Sequence, residues 1–169
     1  ALIVNDTGEH VDTVKASVEQ MSKGVDGAEP MLAFTTEKEE DIEKLFDDKK
    51  YYAALVVPEG YNDAVQNALP NNTAATLQVY INQGLNITGA NVAKTALNGL
   101  ITQLSIQYST NNIADLGDQQ IDATKAAVLV NPIVSQEKVF NPITASTANG
   151  VAPTLMAVPA WVGALIGGF

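Results

Sequence analysis

From Val139 to Phe169 the chain carries no Lys, Arg, Asp, Glu or His, although the whole has a formal net charge of -10. A helix over residues 151–169 would be about 28 Å long at about 1.5 Å per residue, close to the ~30 Å of a bilayer's hydrocarbon. Leaving Leu155, Met156, Trp161, Leu165, Ile166 and Phe169 in water would forfeit about 2 kcal/mol each, together comparable with the stability of an ordinary domain. The run shows no polar face that a surface element could turn outwards. Two readings remain: a final core helix or strand, or the first part of a membrane span, where Pro and Gly are tolerated. We take the second, with residues 149–169 as the start of a transmembrane helix in contact with the lipid bilayer and residues 1–148 as the domain that precedes it. The character of the chain changes at "STANG", 146–150.

The span also orients the domain. Cytoplasmic flanks of membrane helices are rich in Lys and Arg, yet the approach to this one offers only Glu137 and Lys138. Residues 1–148 are therefore expected outside the cell, at the surface of a Gram-positive host. Starting at Ala1 with a strand-like run and neither initiator Met nor leader, the sequence reads as a piece of a longer chain.

Ahead of the apolar run, strands alternate with helices. "ALIV" (1–4) is a short β-branched strand stopped by "NDTG". Val11, Val14, Val18, Met21 and Val25 then recur at helical spacing up to Gly24 and Gly27. "PMLAFTT" (30–36) reads as a second strand, and Thr36 with Glu39 has the capping-box pattern for a helix that buries Ile42, Leu45 and Phe46. "YYAALVVP" (51–58) is a strand apolar on both faces. Asn62 can cap a short helix that Pro70 stops, "ATLQVYIN" (75–82) is a fourth strand, and residues 86–112 form a long helix with Ala93, Leu97, Leu100, Leu104 and Tyr108 on one side. "KAAVLVNPIV" (125–134) reads as a last strand. The pattern predicts an α/β layered domain: a mixed, mostly parallel sheet of four to five strands, helices packed on it including one long one, and an apolar C-terminal helix.

Composition narrows the chemistry. All nine basic residues are Lys and face 19 acids, so nucleic acid is not an expected partner. Cys is absent, which removes disulfides and thiolate catalysis. His10, the sole His, sits beside a turn at a helix start and reads as a capping or surface residue rather than part of a Ser-His-Asp relay. Asp6-Thr7-Gly8 spells an aspartic-protease triplet with no second copy, and Asn5-Asp6 faces no acceptor Asp at Pro58-Glu59-Gly60, so a turn accounts for both. "EKEEDIEK" and "DDKK" read as solvated charge, and no nucleotide-binding glycine pattern occurs. The expectation is no catalytic residue, no cofactor and no metal.

Four stretches carry a resemblance: "ALIVNDTG" (1–8), "YYAALVVPEGYN" (51–62), "VYINQGLN" (79–86) and "NGVAPTLMAVPAWVGAL" (149–165). In this order they resemble the YhgE/Pip family of phage infection protein-like membrane proteins, similar to ABC type-2 permeases. The second and fourth are the specific ones. The resemblance implies a membrane helix before Ala1, an extracellular domain, further spans after Phe169, and a part in export or phage adsorption without enzymatic activity. Many members insert a long coiled coil where this chain has only "NNIADLGDQQIDATK" (111–125). Partners are then expected to be other surface or membrane proteins, or a second copy as a homodimer. The competing expectation is a soluble binding or receiver-like module whose apolar tail completes its core or a dimer interface.

Overall fold

The computed structural model describes residues 1–23, 30, 32–116 and 122–143. Short β-branched runs form a four-stranded sheet in the order β1 (Leu2–Val4), β2 (Ala53–Val57), β3 (Ala75–Asn82), β4 (Ile133–Phe140). The outer pairs β1·β2 and β3·β4 are parallel and the central pair β2·β3 is antiparallel, so the sheet is mixed and mostly parallel. Its helices are α1 (Glu9–Lys23), α2 (Ile42–Asp47) after a 3-10 turn at Glu39–Asp41, α3 (Tyr61–Gln66), α4 (Ala68–Asn71), α5 (Ile87–Leu116) and α6 (Ala123–Val130).

Strand alternation sends Leu2, Leu55, Val57, Leu77, Val79 and Ile81 to one face, where Val11, Val14 and Val18 of α1 and Ala93, Leu97, Leu100 and Leu104 of α5 close over them. The other face packs Ile3, Ala54, Val56 and Tyr80 against Ile42 and Phe46 of α2. β2 is buried throughout, as its unbroken apolar run requires. With 30 residues α5 is about 45 Å long, while the eight-residue β3 spans about 26 Å, so the helix overruns the sheet by several turns.

Several local expectations are corrected. The described residues of 30–36 do not add a strand: Thr36 makes a single bridge to Leu2, whose N–H donates to Thr35 O (2.9 Å) while Glu37 N donates to Leu2 O (3.0 Å). β1 is only three residues long and offers that segment no longer ladder. Thr36 caps nothing, because Lys38 occupies the position before the 3-10 turn and makes no side-chain cap. Pro70 lies inside α4 instead of stopping a helix, where the absence of its N–H in a first turn costs nothing. Residues 125–134 are not a strand but most of α6 followed by the start of β4. There the Asp122 carboxylate accepts from Lys125 N (2.8 Å), and Ala123, Ala126 and Ala127 favour the helix over the β-branched pattern. The expected apolar C-terminal helix, the boundary near residue 148 and the end of the first helix at Gly24 and Gly27 lie outside the described residues.

Candidate functional site

The densest set of polar groups lies where β1 and β2 leave the sheet. Asp6 Oδ2 accepts from Asn62 N (2.8 Å) in the first turn of α3, and Asn62 Oδ1 accepts from His10 N (3.2 Å) in the first turn of α1. Each residue thus satisfies an orphan amide of the helix that follows the other strand, and the two crossovers are locked together. Asn62 therefore caps α1, not its own helix, which starts after left-handed Gly60. Gly8 makes the approach possible: its φ is 128°, and a Cβ there would stand 2.4 Å from Asn62 Oδ1.

The Asn62 amide above all, then those of Thr7, Gly60 and Tyr61, holds the Asp6 carboxyl below the usual carboxylate range. Ionised and turned onto amides, Asp6 is a helix cap, which agrees with reading Asp6-Thr7-Gly8 as a turn. Next to it His10 Nδ1 lies 2.9 Å from Tyr108 Oη, the rings meeting edge to face at 5.2 Å. Tyr61 is buried with no partner for its hydroxyl, and burial pushes that group's pKa up. His10 is thus half-buried against α5 rather than solvated.

The sign of the Asp6 shift gives a test. A depressed folded-state value contributes stability above the unfolded value of about 4, lost as pH falls through the folded value. Asp6→Asn should melt lower than the parent at neutral pH, with the gap closing between about pH 5 and pH 2. Thermal melts followed by circular dichroism across that range decide it, and a gap constant with pH refutes the assignment.

Four further clusters are structural. Tyr51 Oη donates to Glu37, which also pairs with Lys50 (3.3 Å). Tyr80 Oη donates to Glu39 Oε1 (2.7 Å), and burial before that contact pushes its hydroxyl up to about 12. Lys94 (2.6 Å) and Asn98 (2.9 Å) of α5 hold Glu137 of β4 and keep its carboxyl below the usual range. Buried Asn82 donates to Phe46 O (2.8 Å) and Tyr51 O (3.2 Å), fastening the α2–β2 loop. The charged stretches at 37–50 thus pair once across the loop, Lys50 with Glu37, and once between Lys38 and Glu40 two residues apart, neither at helical spacing.

Two surface depressions stand out. One of about 390 Å³ is lined by Ala1, Leu32, Phe34, Tyr52, Ala93 and Leu97, and one of about 560 Å³ by Thr88, Asn91, Val92, Thr95 and Ala96. Both are mainly apolar, as docking surfaces are, and neither gathers the converging polar groups of a reaction centre. Among the described residues no group of three or more His, Asp or Glu could hold a metal ion, and no helix is long and apolar enough to cross a membrane.

Sequence reasoning found Asp6, His10 and Asn62 but not their partners, and it missed Asn82 and Tyr108 as polar anchors. "VYINQGLN" was the available signal, since a strand of apolar alternation that ends in Asn needs a partner for its amide when buried.

The sequence pattern described as "ABC-2 family transporter protein" matches residues 1–169. The fold is similar to a crystal structure of a domain assigned to an ABC type-2 transporter from Thermotoga maritima MSB8, at 20% identity and a TM-score of 0.50, covering 90% of this chain and 97% of that one. No curated protein matches.

Proposed function

We propose, from the premise that this chain belongs to the ABC-2 transporter family, that it is a non-catalytic domain displayed outside the cell by a multi-pass permease. The observation that carries this reading is the unbroken extent of the family match. It joins the α/β layer and the uncharged run of bilayer length as one family unit. The scarcity of Lys beside that run, where a single Lys138 is matched by Glu137, supports the exterior side. The domain then serves recognition or assembly during export, and the resemblance to YhgE/Pip proteins extends this to phage adsorption. The polar groups at the strand ends support a binding rather than a chemical role, because Asp6, Asn62 and His10 are spent on caps and on Tyr108.

Because this chain holds no Cys, a Cys placed in it, read against the unsubstituted parent protein, reports the side of the membrane. In intact cells that express the full parent protein with Glu59→Cys, an exposed position on the β2–α3 turn, a membrane-impermeant maleimide should label the chain. Labelling that requires permeabilised cells would put the domain on the other side and overturn the exterior assignment.

A further inference from the structure

Ala1, just ahead of β1, stands in a row with residues of β2, β3 and β4 across one end of the sheet. Ala1 N donates to Ala53 O (2.7 Å), Ala53 pairs with Ile81, and Ile81 pairs with Val139. The chain leaves at this same end, where Ile143 N donates to Gln83 Oε1 (3.2 Å). The uncharged run therefore departs from the end that carries Ala1, the 47–52 turn and the first turns of α5.

The two ends of the sheet differ in charge. At the departing end, Glu37, Asp47 and Asp48 stand against Lys49 and Lys50, of which Lys50 pairs with Glu37 (3.3 Å), and residues 82–93 carry no charge. At the opposite end stand Asp6, Glu9, Glu59 and Asp63, with no Lys in residues 1–14 or 51–93. Three acids against two Lys give -1, and four acids alone give -4. The departing end also exposes what membrane interfaces favour: Tyr52 is 45% and Val92 48% exposed, Tyr52 packs over Gly89, and Lys49 and Lys50 are adjacent in the same turn. Val92 belongs to the uncharged depression of Thr88, Asn91, Thr95 and Ala96.

We infer that this end, with the Lys49–Tyr52 turn and the opening turns of α5, rests on an anionic lipid surface and that the acidic end points away from it. The inference builds on the membrane reading above and names the face that meets the bilayer. Each charge close to an anionic leaflet biases a population about fivefold, and the effect fades within a Debye length, so the three-charge difference between the ends sets the orientation. Tyr52 and Val92 supply the apolar contact.

The test uses the full chain, mixed with vesicles of phosphatidylglycerol and phosphatidylcholine, with a spin label on Asp48→Cys or Glu59→Cys. Both sites are exposed acids, so each substitution removes the same charge. With bound chain, the label at 48 should lose collisions with a water-soluble paramagnet severalfold relative to the label at 59, and the contrast should shrink in phosphatidylcholine alone. Bound chain with equal accessibility at the two sites, or with 59 the more protected, overturns this orientation and leaves the membrane reading standing. Protection at 48 before vesicles are added marks a second copy on this face and also overturns it. A chain that does not sediment with vesicles overturns both.

Discussion

Gly8→Ala should destabilise the domain by about 2–4 kcal/mol, a large part of the 5–15 kcal/mol that holds an ordinary domain together. Two effects combine. A φ of 128° is strained for any L side chain, and the added methyl would stand 2.4 Å from Asn62 Oδ1. The methyl cannot be accommodated by moving Asn62 without losing the cap on His10 N and loosening the joint with Asp6. Urea unfolding of three variants separates the effects: Asn62→Ala alone should cost about 1 kcal/mol, and Gly8→Ala in that background should cost only the backbone part. If Gly8→Ala unfolds at the parent's urea midpoint, the cross-capped joint has no energetic significance.

Asn82→Ala should cost a similar amount, about 2–4 kcal/mol, by a different route. Asn82 is fully buried, and its amide is the donor that serves Phe46 O and Tyr51 O, while its Oδ1 accepts from Asn141 Nδ2 (3.3 Å). Truncation leaves two carbonyls short of a donor and opens a void beneath the turn that leads into β2. Asn82→Asp provides the control, since it preserves the shape but turns an acceptor towards two carbonyls. Its stability should improve as the pH is lowered into the carboxylate range, where the protonated side chain can donate again. An Asp variant that loses stability on acidification as the parent does would contradict the assigned donor role.

The sequence made some of this readable because particular elements bury one face or both. Val11, Val14 and Val18 follow a helical stripe, and β2 is apolar throughout, so their places could be read from spacing alone. β4 could not. Its buried end is Ile133, and Val134 to Val139 are exposed because it is the outer strand, with Glu137 and Lys138 in mid-strand where they discourage another strand from adding. The run before it looked like a strand because Val128 and Val130 are β-formers in an apolar run, yet the Asp122 cap, the alanines and Leu129 won locally. The polar joint was half legible. Asp6, His10 and Asn62 could be singled out by type, but their pairing spans separations of 52 and 56 residues, which only the folded chain brings together.

The strand order has a mechanical meaning. β1 and β4 are the two outermost strands, and the ends at Ala1 and Ile143 are on the same side of the sheet. Tension drawn between those ends acts across the strands, along the direction of their hydrogen bonds, so the bonds would part in succession instead of sharing the load. The layer should yield to a small sideways stretch by peeling an outer strand, while a pull along the strands would meet whole ladders at once.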